Sequence, residues 1–389
     1  MHQQVRALRG RGHDVRVISQ LGWAPPGRAR WANHRSVPRS TQVDGVPVLH
    51  PRMMMLPGAR LGHRICHTTL RSIAGPVRRV AREWPFDLVH AHMLIPDGWA
   101  AVSAGHAVGV PVIATAHGSA DVLLTPYRSA GWRRTVVEAI TEIDQIIAVS
   151  QAIADGVTTL AQPRHPIQVI PNGADPAVFA GRERDIDRAA LGLPTDRPIA
   201  LFVGHLTKLK GVAHLLEAFD AYATQAQNSP LLAIVGHGPL EGALRARATE
   251  LGLQESIRIL GALPHKDVAA WMSACDVLVL PSRSEGLPTV ICEAMVAGRA
   301  VIATAVGGTP ELVDNGVTGM LIAPNDTPAI TRALGEVLDP PGRARAMGAA
   351  ARARATTSLT WDAVAAQIES VYDQVLARHR GHSVPGRAA

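Results

Sequence analysis

One of only three lysines in this 389-residue chain, Lys210, lies in a short segment that joins an apolar run to a helical pattern. Gly204 ends the apolar run, His205 and Lys210 follow it, and Gly211 opens the helical pattern. The amides of a helix N-terminus together with a fixed cation form a binding place for phosphate groups. The segment therefore predicts a diphosphate site, with a solvated surface loop as the alternative.

A second polar segment carries two carboxylates eight residues apart. Glu285, Gly286 and Leu287 follow an apolar run, Pro288 suits the first position of a helix, and Glu293 interrupts the apolar stretch beyond it. A buried carboxylate is costly unless it accepts hydrogen bonds, and vicinal ribose hydroxyls could donate them. The spacing predicts a site for a sugar and a ribose. The alternative is a helix cap at Glu285 and a salt-bridged Glu293.

Other apolar runs also end in residues suited to ligand contact. Gly236 and Gly238 follow one run, although Gly-x-Gly-Pro also forms ordinary tight turns. His117 and Gly118 follow another, where a histidine could touch a ligand or be merely structural. After a further predicted strand, a turn could enclose the predicted site for a sugar and a ribose. This turn contains Gly307, Gly308, Thr309 and Glu311.

The elements that must position these residues alternate regularly along the chain. Short apolar runs rich in β-branched residues are separated by segments with helical spacing, which predicts parallel sheets covered by helices. The predicted strands lie within 14–19, 87–92, 111–118, 145–150, 167–173, 199–204, 231–236, 256–261, 276–282 and 300–308. Parallel open sheets bind ligands at the carboxyl ends of their strands, where the candidate residues lie.

The fold class is therefore α/β, with two Rossmann-like parallel-sheet domains facing each other across a cleft. A charged, proline-bearing stretch at 175–198 predicts the joint between them. We expect an N-terminal domain at 1–174 and a C-terminal domain at 175–355. A helix within 356–380 then packs back on the N-terminal domain, and 381–389 form a disordered tail.

The composition excludes several classes of protein. A hydrophobic fraction of 47% and a charged fraction of 18% are typical of a soluble globular protein. No run reaches the about 18 apolar residues of a membrane span, and the N-terminus lacks the apolar core of a signal peptide, so we expect a cytoplasmic protein. Three widely spaced cysteines fit reduced structural thiols and neither disulfides nor a metal site.

The positive charge is concentrated at the N-terminus. Residues 1–82 contain 15 arginines and two acidic residues and carry +13, whereas the whole chain carries +7. The bias of 36 arginines to three lysines is typical of a GC-rich coding background, and no nucleic-acid-binding motif is present. We expect no nucleic-acid partner, and any anionic partner would meet the N-terminal domain.

Taken together, these motifs resemble the retaining glycosyltransferases of family 4, which have the GT-B fold. The resemblance extends from residue 1 to about 375, in family order and spacing. Its motifs are Gly204 to Gly211, Gly236 to Pro239, Glu285 with Glu293, Gly307 to Glu311, and Pro171 to Asp175. The N-terminal half is also similar to the branch of teichuronic-acid-type and related cell-envelope transferases.

The resemblance implies a role for each matching residue. Lys210 would hold the donor diphosphate, Glu293 the ribose, and the loop from Glu285 to Leu287 the transferred sugar, which His117 would also contact. The implied activity is transfer of a sugar, with retention, from a nucleotide donor to a cell-envelope or exopolysaccharide acceptor that could be lipid-linked. Neither a metal nor a cofactor is expected, because basic side chains neutralise the diphosphate.

Two features depart from the family pattern. His205 stands where the family usually has arginine, so we expect donor binding that depends on pH near neutrality. The family's first strand and glycine loop are missing before the first helix. We expect that a GTG codon was taken as the start and that the true start lies upstream of Met1. A truncated, inactive sugar-nucleotide binder is one alternative, and a nucleotide-sugar epimerase of the same fold is another.

The basic segment 52–82 also fits a peripheral position on the inner face of the plasma membrane. Its arginines and apolar residues could hold the domain on an anionic lipid surface that displays the acceptor. In 63–82 the apolar residues share one helical face, and the alternative is that this face packs on the sheet while the arginines are solvated.

Overall fold

A computed structural model describes residues 1–23, 36–54, 64–118, 122 and 129–382. Contacts divide the chain into a first unit, Met1–Ile170 with Ala365–Ala389, and a second unit, Pro171–Val364. Most of the predicted tail and part of the basic segment, residues 383–389 and 55–63, lie outside the described residues. No helix in the described ranges is both long and apolar enough to cross a membrane.

The first unit contains a four-stranded parallel sheet and two smaller sheets. The strands of the small sheets are β1 (Val17–Ile18), β2 (Leu21–Trp23), β3 (Ser40–Val43), β4 (Val46–Leu49) and β5 (Arg52–Met54), in the orders β1-β4-β3 and β2-β5. The larger sheet has the order β6-β7-β8-β9, with β6 (Val89–His92), β7 (Val112–Ala116), β8 (Gln145–Ala148) and β9 (Gln168–Val169). All three pairings in the larger sheet are parallel.

Helices connect these strands as the alternation of the sequence predicts. They are α1 (His2–Gly10), α2 (Arg64–Glu83), α3 (Trp99–His106), α4 (Ala130–Glu142) and α5 (Gln151–Leu160). Ser129 and Ser150 cap α4 and α5 by accepting from backbone amides, which explains where both helices begin. A short π-helical segment, Leu94–Gly98, leads into α3.

The apolar face of α2 is buried within the first unit. Ile73 and Val77 pack in one cluster with Ala100 and Ala104 of α3, with Leu70 against it. The arginines of α2 are exposed. Of the two alternatives for this helix, the structure therefore supports an apolar face packed inside the domain with solvated arginines.

The second unit contains one six-stranded parallel sheet. Its order is β12-β11-β10-β13-β14-β15, with β10 (Ile199–Val203), β11 (Leu231–Val235), β12 (Ile257–Gly261), β13 (Val277–Leu280), β14 (Ala300–Thr304) and β15 (Gly319–Ile322). Numbered within the unit, this is the 3-2-1-4-5-6 order of a Rossmann fold. Residues of β10, β11, β13 and β14 are almost completely buried, as expected for strands covered on both faces.

The helices of the second unit flank this sheet. They are α6 (Pro176–Phe179), α7 (Arg184–Ala190), α8 (Val212–Ala223), α9 (Glu241–Glu250), α10 (His265–Ala274), α11 (Thr289–Val296), α12 (Thr309–Leu312), α13 (Thr327–Leu338) and α14 (Arg343–Ser358). The apolar positions of α8 that show helical spacing in the sequence are all buried, namely Val212, Leu215, Leu216 and Phe219. The stretch 175–198 holds α6 and α7 and belongs to this unit.

The last helix, α15 (Trp361–His382), packs on the first unit from Ala365 onwards. Arg11 donates to Glu369 at 2.8 Å, and Arg378 donates to the side chain of Gln145 at 2.8 Å. The predicted apolar stripe of this helix is buried at Val364, Ala365, Ile368, Val371 and Val375. This return of the C-terminal helix to the N-terminal unit confirms that part of the predicted fold.

All ten predicted strands are present, and the α/β class is confirmed. Five strands went unpredicted: β2, β3, β4, β5 and β15. They are three or four residues long, and β2, β3 and β5 end in an exposed residue, so their alternation is too short to recognise. The Asp44-Gly45 pair that joins β3 to β4, with both residues at positive φ, was an available hairpin signal.

Candidate active site

The candidate residues of the second unit lie where the strand order of its sheet reverses. β10 pairs with β11 on one side and with β13 on the other, although β11 and β12 separate β10 from β13 along the chain. Segments 204–211 and 281–288 follow β10 and β13, so both leave the carboxyl edge at this switch point. Open parallel sheets bind their ligands at such a point.

Lys210 and Glu285 meet there. Lys210 Nζ donates to Glu285 Oε1 at 2.6 Å, with 26% of the lysine side chain and 8% of the glutamate side chain exposed. The two segments are also joined through their backbones, because Arg283 N donates to Leu209 O at 2.8 Å. The site therefore contains a cation whose charge is balanced by a buried carboxylate.

Gly236 allows the loop after β11 to approach the end of β10. Its φ is +139°, and a Cβ there would lie 1.9 Å from the carbonyl oxygen of Gly204. Leu206 N donates to His237 O at 2.9 Å just before Gly238, which holds the two loops together. Gly236 thus lies against Gly204, and Gly238 lies against Leu206, so the backbones of the two loops are in close contact.

The loop after β14 approaches the carboxylate segment in the same way. A Cβ on Gly307 would lie 1.8 Å from Glu285 O, and the φ of Gly307 is +52°. Gly308 N donates to Gly286 O at 2.9 Å. Three strand ends, those of β10, β13 and β14, therefore converge on Glu285 and Gly286.

Glu293 lies on α11, beyond the same loop. Its Oε1 lies 3.3 Å from His265 Nε2, and the hydrogen bond to this carboxylate raises the pKa of His265. Leu287 is buried, and its carbonyl accepts from Asn172 Nδ2 at 3.3 Å. The side chain of Glu293 is 15% exposed, so this carboxylate is held by His265 and is still reachable from solvent. His205 is exposed, with its ring 5.1 Å from that of His237.

The first unit has its own cluster of candidate residues at the carboxyl edge of β6 and β7. His117 and Gly118 directly follow β7, and His117 Nε2 lies 2.7 Å from Nδ1 of His92 at the end of β6. Burial lowers the pKa of His117 to about 4 and lowers that of His92 as well. Both imidazoles are therefore neutral near pH 7 and serve as hydrogen-bonding groups.

Two residues in contact with the predicted ones went unrecognised in the sequence, His92 beside His117 and His265 beside Glu293. His90, which stacks on His92, was not predicted either. The His-x-His spacing at 90 and 92 was an available signal, because it places both side chains on one face of a strand. For His265 no sequence signal exists, since its partner Glu293 is 28 residues away.

Two family patterns match the chain, one on each half. Residues 1–178 match the pattern described as glycosyltransferase family 4, and residues 183–354 match that of glycosyl transferases group 1. Together they cover most of the chain.

Similar proteins of known sequence are glycosyltransferases and synthases. TuaC of Bacillus subtilis strain 168, a glycosyltransferase assigned to teichuronic acid biosynthesis, is 30% identical over 341 residues, which are 85% of this chain and 82% of TuaC. Alpha-maltose-1-phosphate synthase of Mycolicibacterium smegmatis is 32% identical over 365 residues, which are 86% of this chain and 89% of the synthase.

Solved structures of glycosyltransferases share the fold. Sucrose-phosphate synthase from Thermosynechococcus elongatus has a TM-score of 0.81 at 23% identity, covering 97% of this chain and 92% of its own. Anabaena HepE in complex with UDP-glucose has a TM-score of 0.69 at 21% identity, covering 92% and 99%. With two matching family patterns, near full-length relatives and this fold, the chain is a glycosyltransferase and belongs to family 4.

Proposed function

We propose that the protein transfers a sugar, with retention, from a nucleotide-diphosphate sugar to a cell-envelope or exopolysaccharide acceptor. In this proposal Lys210 and His205 face the diphosphate, and Glu293 accepts from the ribose. The transferred sugar lies on the loop that begins at Glu285, and His117 contacts the sugar. Basic side chains and a helix N-terminus supply the positive charge, so the proposal includes neither a metal nor a cofactor.

The ion pair between Lys210 and Glu285 carries the proposal. The cation at the switch point of the sheet is held by a buried carboxylate 2.6 Å away. A diphosphate is a stronger anion with more acceptor oxygens, so it would draw Lys210 away from Glu285 on binding. The freed carboxylate then lies beside the place of the sugar. A cation on the leaving diphosphate stabilises the charge that develops as the bond to the sugar breaks.

The relatives support a nucleotide-sugar donor and an envelope acceptor. The structure of Anabaena HepE contains UDP-glucose, and TuaC is assigned to teichuronic acid biosynthesis. We propose a uridine-diphosphate sugar as the first donor to be tested.

Binding of sugar nucleotides to Lys210→Ala tests the proposal. We expect calorimetry with UDP-glucose, UDP-N-acetylglucosamine, GDP-mannose and ADP-glucose to show binding of at least one by the unsubstituted chain. Lys210→Ala should weaken that binding by about tenfold to a hundredfold, since a charge-assisted hydrogen bond to an anion contributes about 1.5 to 3 kcal/mol.

Lys208→Ala is the matched control, because Lys208 is exposed on the same turn. It should bind the donor as the unsubstituted chain does. Equal losses in the two variants would mean that the local positive charge matters and Lys210 does not, which would contradict the proposal. Conversion of the donor into its epimer without any acceptor would instead indicate an epimerase.

We further propose that the exposed arginines of α2 hold the enzyme on the cytoplasmic face of an anionic membrane. Because the apolar face of α2 is buried, this contact is electrostatic and does not insert the helix. Arg71, Arg78 and Arg82 are spaced so that they share one exposed face. Such a position would bring the first unit to a lipid-linked acceptor.

A further inference from the structure

Three imidazoles form a row of nearly parallel rings at the carboxyl edge of the sheet in the first unit. The rings of His90 and His92 are 4.9 Å apart with an interplanar angle of 15°, and those of His92 and His117 are 5.0 Å apart at 18°. One hydrogen bond joins His92 Nδ1 and His117 Nε2, 2.7 Å apart. The row extends from His90, inside β6, to His117, which follows β7.

The strands explain why the row forms. His90 and His92 alternate with Ala91 on β6, so both point to one face of the sheet. His92 pairs in register with Thr115 of β7, and His117 lies two residues further on. The same alternation therefore brings His117 to the face that carries the other two rings.

His90 is held at both ring nitrogens. Its Nε2 lies 2.7 Å from Thr115 Oγ1, and its Nδ1 lies 2.6 Å from the hydroxyl of Tyr372 on α15. With its plane fixed in this way, His90 provides a rigid surface on which the ring of His92 stacks. The backbone at Met93, directly after His92, is held at φ +83° and ψ 141°, a conformation that residues other than glycine rarely adopt.

The charge state of the row follows from its burial. Burial lowers the pKa of His90 to about 3 and of His117 to about 4, and the pKa of His92 is lowered too. A hydrogen bond between two neutral imidazoles requires one nitrogen with a proton and one without. Across the described ranges, no three histidine, cysteine, aspartate or glutamate side chains are placed to share a metal ion.

We propose that His92 is a positioning residue that sets the tautomer of His117, and thereby whether His117 offers the ligand a donor or an acceptor. When Nδ1 of His92 carries the proton, Nε2 of His117 is bare, and His117 carries its own proton on Nδ1 as a donor. When Nε2 of His117 carries the proton, its Nδ1 is an acceptor, and His92 carries its proton on Nε2.

The two rings therefore always have the same tautomer. Conversion from the first state to the second moves the shared proton from His92 Nδ1 to His117 Nε2. At the same time His117 Nδ1 loses a proton and His92 Nε2 gains one, so the pair stays neutral. A sugar hydroxyl at His117 could be met by a donor or by an acceptor with no change of charge. This contact with the sugar rests on the proposed function, whereas the coupling of the tautomers does not.

Nitrogen NMR of the full chain labelled with ¹⁵N-histidine at pH 7 tests the coupling. His92→Ala and His117→Ala assign the two sets of ring signals. We expect neutral rings that are either both protonated on Nδ1 or both protonated on Nε2. One ring of each tautomer would overturn the inference, because two protons or two lone pairs would then face each other. A charged ring at either position would also overturn it.

Variants at position 92 then test the positioning role. His92→Ala should leave His117 as a mixture of tautomers, and His92→Asn, whose amide occupies the place of Nδ1, should keep one tautomer. His106→Ala removes an exposed imidazole of the same unit and should leave the His117 signals unchanged. An unchanged His117 spectrum in His92→Ala would overturn the inference.

Hydrolysis of the sugar nucleotide that binds best provides the functional measurement. His92→Ala should lower kcat by about tenfold, the loss of one well-placed hydrogen bond, with recovery in His92→Asn and not in His92→Gln. Equal rates in His92→Ala and the unsubstituted chain would overturn the positioning role. Coupled tautomers in a chain that binds and hydrolyses no sugar nucleotide would uphold the coupling and contradict the proposed function instead.

Discussion

Burial decides the charge of individual histidines in this protein. His265 is half exposed beside Glu293, and the hydrogen bond to that carboxylate raises its pKa, whereas burial lowers the pKa of His90 to about 3. A histidine is thus a partly exposed partner of a carboxylate, with a raised pKa, in the second unit and a neutral hydrogen-bonding group in the first. Residue type alone does not distinguish these roles.

The lowered pKa of His90 predicts a loss of stability in acid. The unfolded chain binds a proton at this imidazole below about pH 6.5, while the folded chain stays neutral down to about pH 3. The contribution of His90 to the free energy of unfolding is therefore fully present above pH 6.5 and falls as the pH decreases. At pH 5 the loss from this one group is about 2 kcal/mol.

Urea unfolding at pH 7, 6 and 5 measures this effect. His90→Gln replaces the imidazole with a group that does not titrate, so its free energy of unfolding should fall less steeply with decreasing pH. His106→Gln, at an exposed position, serves as the control and should keep the steeper fall. Identical slopes for His90→Gln and the unsubstituted chain would show that burial does not hold His90 neutral.

At the scale of elements, α7 is anchored by one buried arginine. The side chain of Arg188 is fully buried, and it donates to Asp276 Oδ2 at 2.8 Å. It also donates to four backbone carbonyls, those of Pro194, Thr195, Arg197 and Ala274. Asp276 in turn accepts from Ile199 N at the start of β10 at 2.8 Å. The charged stretch 175–198 is therefore a structural part of the second unit.

Replacement of this arginine should destabilise the second unit. Arg188→Met keeps a long side chain but removes one donor of Asp276, which Arg184 still binds at 2.9 Å, and the donor of several buried carbonyls. Because each unsatisfied buried acceptor costs about 1 to 3 kcal/mol, we expect a loss of about 3 kcal/mol. Thermal unfolding measures the loss. Arg352→Met makes the same change at an exposed position of α14 and should change the stability by less than about 0.5 kcal/mol. A loss for Arg188→Met as small as that of the control would contradict the anchoring role.

At the scale of the whole molecule, the charge is divided unequally along the chain. Residues 1–82 carry +13 and the remaining residues carry −6. The structure separates the arginines of α2 from its apolar residues, which face the core of the first unit. The charge is therefore available at the surface, and the apolar residues of this helix are not.

Vesicle binding tests the proposed membrane contact. We expect the chain to sediment with vesicles that contain phosphatidylglycerol at low salt and to be released at about 0.5 M salt, where charges are screened within a few ångströms. A triple variant, Arg71→Glu with Arg78→Glu and Arg82→Glu, should lose binding. No sedimentation of the unsubstituted chain at low salt would refute the contact.

The matched control makes the same change in the other unit. Arg332→Glu with Arg345→Glu and Arg352→Glu alters the net charge equally at three exposed positions. If only total charge mattered, both triple variants would lose binding. We expect the control to keep most of it, because the proposal assigns the contact to α2.

The sequence by itself determined the local elements and the residues at their ends. Runs such as 199–203 and 277–280 are continuous apolar stretches, and the structure has strands there. A strand that is buried on both faces must be apolar along its whole length, so it can be recognised from the linear sequence alone. The same signal places Lys210, Glu285 and His117 in the segments that follow predicted strands.

Only the tertiary structure decided which of these strand ends meet. Lys210 and Glu285 are 75 residues apart, and they form an ion pair because β10 lies beside β13. The sequence of neither strand indicates which strand it pairs with. The row of imidazoles depends likewise on the register of β6 against β7. Strand order and register are properties of how apolar faces pack together, so they follow from the whole set of contacts and not from any one segment.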